Sequence, residues 1–457
     1  MKVIICGAGQ VGFSIAGYLS QENNDVTVID QSAELIGKIN DSLDVQAFVG
    51  HASQPDVLER AGAAEADMLI AVTFADEVNM VACQVAHSLF NVPTKIARVR
   101  HQSYLNPVWA DLFSRENMPI DVIISPEIEV ARAIRRRLVV PGTIDMIPLA
   151  EGKVQAIGVR CAESCPIINT PLRQLTELFP DLGITVVCIN RNGSPFIPKP
   201  SDQMVAGDEV YFLADSTHVP RALSAFGHEE EEAHRIIIIG GGNIGLNLAQ
   251  EIEHQDGITA RLIELSRERA RFVAEALPAT NVILGDALDS VILDEAGVAT
   301  ADTVIAVTND DETNILASLL AKRYGVERAV TLINSTAYAP LITTLGIDVA
   351  VSPRAITVST ILQHIRRGRI RSVHSLVDGF AEIIEAEALE TSPLVGNAIS
   401  EVKFPPNVIV GAIVRDDAVI TPRSDTVIRT DDIVILLAAS KSVKGAERLF
   451  SVQLEFF

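Results

Sequence analysis

Residues 2–30 read KVIICGAGQVGFSIAGYLSQENNDVTVID: a short apolar run, a glycine-rich turn, a helix-length segment and a second apolar run that ends at Asp30. The turn has the pattern GxGxxG, and Asp30 follows 23 positions after the first glycine. A strand, such a turn, a helix and an acidic residue at this distance form the fingerprint of a dinucleotide-binding βαβ unit. The stretch therefore predicts a Rossmann-like domain with a doubly wound parallel sheet.

Each glycine of this turn has a predicted role in binding. Gly7 permits the tight turn, Gly9 lets the backbone approach a pyrophosphate, and Gly12 lets the helix and strand pack closely. The helix N-terminus supplies N–H donors and a positive dipole to phosphates. Asp30 would accept hydrogen bonds from both ribose hydroxyls of an adenosine, and its charge would repel a 2′-phosphate. This favours NAD(H) over NADP(H), and ATP or ADP fits the same site.

The same pattern occurs a second time. Residues 235–264 read RIIIIGGGNIGLNLAQEIEHQDGITARLIE, and the acidic residues Asp30 and Glu264 lie 234 positions apart. The match continues with GHA at 50–52 against GDA at 285–287, and with ADMLIAVT at 66–73 against ADTVIAVT at 301–308. A register held over this length indicates a duplicated domain. We call residues 7–12 with Asp30 the first cradle, and residues 240–245 with Glu264 the second cradle.

The two copies differ in charge near the predicted sites. Thr73 and Thr308 follow the fourth strand of each copy, at the crevice where Rossmann ligands lie. The first copy then reads KIARVR, whose Arg98 and Arg100 could reach phosphates. The second copy reads VTLINS there and has neither arginine, so we expect its site to bind more weakly or to bind something less charged.

The repeat sets the expected domain organisation. Each Rossmann domain is followed by a basic crossover helix and a small α+β domain with short strands around one helix, opened by the segments 171–175 and 394–399. The basic stretches 135–137 and 366–369 are either solvated helix faces or contacts to a neighbouring subunit or transporter. The expected bounds are 1–123 and 235–350 for the Rossmann domains, 124–142 and 351–369 for the crossovers, 143–227 and 370–453 for the small domains, and 228–234 for an acidic linker.

Composition restricts the class of protein. The 457 residues carry a net charge of −22, which argues against a nucleic acid partner. Mean hydropathy is +0.28, yet the apolar runs are strand-sized, as in sheets buried on both faces, so we expect a cytosolic chain without a membrane span. The five cysteines have neither CxxC nor zinc spacing, which predicts buried thiols and no metal site. None of the nine histidines shows a recognisable catalytic pairing, so we expect a regulator rather than an enzyme.

Several motifs in this order resemble one known family. The segments GAGQVG, GHASQPDVL, ADMLIAVT, NMVACQVA and KIARVR, in a doubled arrangement of Rossmann and small domains, are similar to tandem RCK (KTN) proteins of Trk-type potassium uptake systems. The resemblance implies a cytosolic, nucleotide-binding regulatory subunit at the inner face of the membrane. It also implies a ring, typically a tetramer, that gates a membrane potassium-transporter subunit of the TrkH or TrkG type.

Carried over by position, the resemblance implies two sets of binding residues. The first is Gly7, Ala8, Gly9, Gln10, Val11 and Gly12 for the pyrophosphate, Asp30 for the ribose, Thr73 and Phe74 beside the ligand, and Arg98 for phosphate; the second is Gly240, Gly242, Asn243, Ile244, Gly245 and Glu264. Phe74 departs from the polar residue common in relatives, which leaves the preferred nucleotide open. The alternatives are an NAD-dependent oxidoreductase and a structural assembly protein that binds no nucleotide.

Overall fold

The computed structural model describes residues 1–21, 24–139, 142–179, 182–228, 233–255, 257–335, 337–365 and 370–450. Most of the expected acidic linker, the basic stretch 366–369 and the end of the second small domain at 451–453 lie outside the described residues. The described residues fall into two compact units. One consists of Met1–Ala131, Leu332–Ser335 and Val351–His364, and the other contains the remaining residues.

The first Rossmann domain is built on a six-stranded parallel sheet with the strand order β3-β2-β1-β4-β5-β6. The central strands β1 and β4 are apolar and almost wholly buried, as expected for a sheet covered on both faces. Its elements are β1 Lys2–Cys6, α1 Gln10–Gln21, β2 Asp25–Asp30, α2 Ala33–Ser42, β3 Gln46–Val49, α3 Pro55–Arg60, β4 Met68–Ala71, α4 Asp76–Phe90, β5 Thr94–Arg98 and β6 Val122–Ile124. The crossover helix α5, Pro126–Val139, follows.

The second Rossmann domain repeats this topology, with the strand order β14-β13-β12-β15-β16-β17. The first small domain precedes it in the chain and contributes β7 to β11, α6 and α7. In chain order the elements are β7 Thr143–Leu149, β8 Val154–Arg160, α6 Leu172–Leu178, β9 Ile184–Arg191, β10 Ser194–Phe196, β11 Glu209–Asp215, α7 Val219–Ala225, β12 Arg235–Ile239, α8 Asn243–Glu253, β13 Thr259–Glu264, α9 Arg267–Ala276, β14 Asn281–Leu284, α10 Ser290–Glu295, β15 Thr303–Ala306, α11 Asp311–Arg323, β16 Arg328–Leu332, α12 Ala339–Thr344, β17 Val349–Val351 and the crossover helix α13 Pro353–Ile365.

The small domains are five-stranded antiparallel sheets with the orders β10-β9-β11-β8-β7 and β18-β19-β22-β20-β21. The second consists of β18 Ile370–Leu376, β19 Ala381–Glu387, β20 Val408–Arg415, β21 Ala418–Ile420, β22 Ile433–Ala439 and α14 Val443–Arg448. The tandem arrangement of Rossmann and small α+β domains is confirmed, while the exact domain bounds stay predictions.

One helix expected from the sequence is wrong. The segment 171–175 opens α6 as expected, but 394–399 forms turns and bridges, followed only by a 3₁₀ turn at Ile399–Glu401. Gly396 has φ +80°, which interrupts a helix, and Val395 and Ala398 form bridges to Ile428 and Val427. Each small domain also has a helix after its last long strand, α7 and α14, which the sequence pattern did not predict.

The two small domains pack against each other through their sheets. Their shared core contains Val187 and Leu213 from the first domain and Ile383 and Leu437 from the second. A Cβ at Gly411 would lie 2.1 Å from Cδ1 of the buried Leu213, so glycine at this position lets β20 lie close to the first domain without displacing that side chain. The duplicated chain therefore forms an internal pair of small domains.

Candidate functional site

The first cradle has glycines at the positions where its own backbone is crowded. Gly7 has φ +114°, and a Cβ there would lie 2.9 Å from Val72 O. A Cβ at Gly12 would lie 1.8 Å from Gly7 O, so the start of α1 can pack on the turn only with glycine at this position. Gly9 is different, because a Cβ there would meet no heavy atom within 4 Å. The space beside Gly9 is therefore open to a ligand, as the proposed pyrophosphate contact requires.

Asp30 connects the end of β2 to this turn. Its Oδ2 accepts the N–H of Ala8 at 2.7 Å, and its Oδ1 accepts the N–H of Ser32 at 2.8 Å. Each carboxylate oxygen has a further lone pair, so two backbone bonds fix the carboxylate while leaving acceptor capacity for hydroxyl groups. This arrangement suits the proposed ribose contact. Gln10 is exposed, and Val11 is half-buried, at the beginning of α1.

A hydrogen-bonded group lies at the end of β4, beside the glycine turn. Asn79 is fully buried in α4, and its Oδ1 accepts both the N–H (2.8 Å) and the hydroxyl (2.7 Å) of Thr73. Its Nδ2 donates to Arg98 O at 2.9 Å, while Arg98 Nη2 donates to Thr73 O at 2.7 Å. Asn79 is not among the binding residues predicted from the sequence. Asn79 positions Thr73 and Arg98 relative to each other.

Arg98 shows how the first cradle fits an anion. Burial, followed by the charge of Arg100, lowers the pKa of the Arg98 guanidinium, which an arginine nevertheless keeps protonated. Its buried Nε has no hydrogen-bond partner among the described residues. A buried cation with an unused donor is costly unless an anion or acceptor joins it. The residues present therefore fit a phosphate-bearing group.

Phe74 and Arg100 lie at the mouth of this site. The Phe74 side chain is 86 % exposed, and the guanidinium of Arg100 lies 5.9 Å from its ring centroid. Arg100 also forms an ion pair with the buried carboxylate of Glu127, at 2.7 Å. Arg100 is therefore already paired, whereas the exposed ring of Phe74 offers a stacking surface to a nucleotide base or nicotinamide.

The second cradle reproduces the turn geometry of the first. Gly240 has φ +105°, a Cβ at Gly245 would lie 1.9 Å from Gly240 O, and a Cβ at Gly242 would meet nothing within 4 Å. Glu264 accepts the N–H of Gly241 through Oε2, at 2.7 Å. It accepts the N–H of Ser266 through Oε1, also at 2.7 Å. The longer side chain of Glu264 thus reproduces the bonds that Asp30 makes.

The Thr–Asn pair is also repeated. Asn314 Oδ1 accepts the N–H and the hydroxyl of Thr308, at 2.8 and 2.7 Å. The half-buried Ile244 and Asn243 begin α8, and Asn243 Oδ1 accepts from Arg269 Nη2 at 3.2 Å. Arg269 is a residue that sequence reasoning missed, because its position five residues after Glu264 belongs to no motif that we used.

The basic stretch 135–137 proves to make contacts within the chain. Arg135 Nε lies 2.8 Å from Glu251 Oε2 on α8, and Arg132 Nε lies 3.9 Å from the other oxygen of the same carboxylate. Arg137 forms an ion pair with Asp145 at 2.8 Å and donates to the carbonyls of Ala133 and Ile144. Arg135 and Arg137 therefore have partners within this chain.

The remaining sequence expectations concern cysteines, metals and membranes. All five cysteines are free and buried. Among the residues that the structure describes, no cluster of His, Cys, Asp and Glu could hold a metal ion. Within the same residues, no helix has the length and apolar character needed to cross a bilayer.

Comparison with known proteins identifies relatives over the whole chain. Residues 3–126 and 236–353 match the TrkA-N domain family, and residues 157–227 and 383–451 match the TrkA-C domain family. The Trk system potassium uptake protein TrkA of Azorhizobium caulinodans is 56 % identical over 100 % of both chains. Proteins of the same name from Halomonas elongata and Vibrio alginolyticus are each 42 % identical to this chain. The match covers 100 % of both chains for the first and 98 % of both chains for the second.

Solved structures show the same fold at lower identity. The GsuK RCK domain matches 98 % of this chain and 94 % of its own, with a TM-score of 0.61 and 18 % identity. The GsuK channel bound to NAD matches 98 % of this chain and 78 % of its own, with a TM-score of 0.59 and 18 % identity. These matches confirm the RCK fold expected from the sequence.

Proposed function

The chain belongs to the TrkA family of Trk-system potassium uptake proteins, and from this premise we propose that it is a regulatory subunit of a membrane potassium transporter. It binds NAD(H), ATP or ADP in its two cradles, and this binding gates the transporter. The observation that carries the proposal is the repeated cradle geometry. Two open glycine positions, Gly9 and Gly242, each lie beside a carboxylate fixed by two backbone N–H groups. Such a site binds a nucleotide through backbone donors and the helix N-terminus.

The relatives support the two halves of this proposal separately. The TrkA proteins are named for potassium uptake, and one structural neighbour is a channel bound to NAD. For the present chain, we propose a partner of the TrkH or TrkG type, a homotetrameric ring and a location at the cytoplasmic face of the membrane. The proposed binding residues are those of the two cradles together with Thr73, Phe74 and Arg98.

The second cradle has a physical route to the rest of its unit. Helix α8 begins at this cradle, and near its other end Glu251 forms an ion pair with Arg135 of the crossover helix α5. Arg328, at the start of β16, donates to the carbonyls of Arg137 and Thr143, both at 2.8 Å. Hence a ligand that shifts α8 would move α5 and the first small domain with it. Binding energy can be converted in this way into a change of domain geometry.

Potassium uptake in cells tests the proposal. A strain that lacks this protein is complemented with the wild-type chain or with a chain carrying both Gly9→Asp and Gly242→Asp. We expect the wild type to restore uptake that responds to nucleotide levels, and the double variant to lose the response at equal protein abundance. If deletion leaves uptake and its response unchanged, the proposed function is wrong. Steady consumption of NADH by the purified chain would favour the oxidoreductase instead.

A further inference from the structure

The arginine beside each cradle lies on a different element in the two copies. In the first, Arg98 is the last residue of β5, whereas the last residue of β16 in the second copy is Leu332. On the helix after the acidic residue, the second copy has the arginine and the first copy does not. Leu35 N donates to the N-cap Ser32, and Arg269 N donates in the same way to the N-cap Ser266, so these two residues are structurally equivalent. The second copy therefore has an arginine where the first has a leucine.

Arg269 is held against the second glycine turn. Its Nε donates to Gly241 O at 2.6 Å, and its Nη2 donates to Asn243 Oδ1 at 3.2 Å. The Phe272 ring lies beneath the guanidinium, with 4.9 Å between Cζ and the ring centroid. Glu264 accepts the N–H of Gly241, so the guanidinium lies at the turn residue that is bonded to the acidic residue.

The bonds of Arg269 do not use the backbone N–H groups of the cradle that would donate to a phosphate. Both of its partners are acceptor atoms, a carbonyl oxygen and an amide oxygen. The N–H groups at the start of α8 have no intrahelical acceptor, because no residue precedes them at the required distance. These bonds use the N–H of Nε and one N–H of Nη2, so Nη1 and the second N–H of Nη2 remain as donors that suit a phosphate.

We propose that Arg269 is the phosphate-binding arginine of the second cradle and makes this site specific for the phosphate nearest to the adenosine ribose. In a Rossmann domain the ribose lies at the acidic residue after the second strand, which here is Glu264. The second cradle would accordingly recognise the adenosine 5′-monophosphate unit common to AMP, ADP, ATP and NAD. The first cradle, with Arg98 at the far end, would favour ligands with further phosphates. The inference rests on the proposed function, since it specifies the ligand of one of its two sites.

Calorimetric titration of the full-length chain tests this assignment. The Gly9→Asp background removes the first cradle, and AMP, ADP and ATP are titrated in turn. We expect affinities within about threefold of one another. Adding Arg269→Gln should weaken AMP binding by about 10- to 100-fold, as for a lost charge-assisted contact. Arg269→Lys keeps the charge but not the planar guanidinium, so its AMP affinity should lie between that of the Gly9→Asp parent and that of the chain with Arg269→Gln added. Arg271→Gln on the same helix, whose side chain is 84 % exposed, is the matched control and should change nothing.

The outcomes separate this inference from the proposed function. If Arg269→Gln or Arg269→Lys binds AMP as tightly as its parent, or if the parent prefers ATP to AMP by more than tenfold, the role of Arg269 is wrong. If the Gly9→Asp chain binds none of the three while the wild type binds one equivalent, the inference fails and the proposed function stands on the first cradle. If the wild type binds no nucleotide, both fail.

Discussion

Replacing Gly9 by aspartate should weaken nucleotide binding at the first cradle by at least about 100-fold without unfolding the protein. A Cβ at this position meets no heavy atom within 4 Å. Gly9 O accepts the N–H of Phe13 at 2.8 Å, so Gly9 is the residue that caps the start of α1. Aspartate is among the best N-cap residues, and its charge is favourable at a helix N-terminus. We therefore expect a melting temperature equal to or slightly above that of the wild type.

The loss of binding is large because the new carboxylate lies where the phosphates would lie. Two like charges about 4 Å apart repel by about 4 kcal/mol at an effective dielectric constant of about 20. Since about 1.4 kcal/mol corresponds to a factor of ten, this repulsion weakens binding by about a thousandfold. Screening by solvent and salt reduces the effect, so we expect a loss of at least about 100-fold.

The assay is calorimetric titration with NADH and ATP in a Gly242→Asp background, where only the first cradle can bind. Gly9→Asn is the matched control, because it has the same size and capping ability without the charge, and it should lose less affinity. Gly12→Ala, in contrast to Gly9→Asp, should lower the stability of the domain. Its Cβ would lie 1.8 Å from Gly7 O, so it should destabilise the domain by about 1–3 kcal/mol. Wild-type affinity in Gly9→Asp would refute the assignment of the cradle, and unfolding would refute the assignment of position 9 as open.

Three further predictions concern other parts of the chain. Burial raises the pKa of Glu382 from 4.5 to about 8, so the folded state binds this proton more tightly than the unfolded state and the free energy of unfolding should fall as pH rises from about 4.5 to 8. Glu382→Gln should remove that slope in denaturant titrations at several pH values, and an unchanged slope would contradict the cause given. Gly411→Ala should cost about 1–3 kcal/mol by chemical denaturation, because its Cβ would lie 2.1 Å from Leu213 Cδ1, and a neutral effect would show that the small domains are not tightly packed there. Glu251→Gln should leave AMP affinity at the second cradle within about twofold while reducing the nucleotide response of potassium uptake, because it removes the ion pair to Arg135; an intact response would rule out this route.

The sequence predicted the Rossmann domains well because their signals are local and strong. Strands β1, β2, β12 and β13 form at the apolar runs on either side of the two glycine turns and their helices, since buried parallel strands are continuous apolar runs bounded by turns. The duplication added independent support, because two copies with the same register are far less ambiguous than one.

The small domains were harder to predict. Strand β7, TIDMIPL, alternates polar and apolar residues only over its first four positions and contains a proline, so its pattern is weaker than that of a buried parallel strand. The segment 394–399 has an apolar spacing that suits a helix, but Gly396 in a left-handed conformation and isolated bridges to Val427 and Ile428 override it. Tertiary pairing of this kind is not encoded in the local pattern.

The candidate sites divide in the same way. The glycines and acidic residues were predictable, since their spacing follows from backbone geometry. Asn79 and Arg269 were not assigned, because their roles depend on contacts that form only in the folded chain: Asn79 bonds both Thr73 and Arg98 O, and Arg269 bonds Gly241 O. The ion pair of Arg135 likewise depends on a helix more than a hundred residues away in the chain.

The most direct test of the account is calorimetric titration of the purified wild-type chain with NADH, with the NADH absorbance followed in the same sample. The account predicts saturable binding at two sites per chain, constant absorbance, and no binding in the chain carrying Gly9→Asp and Gly242→Asp. Absence of binding in the wild type, or a steady fall in NADH absorbance once a substrate is present, would contradict it.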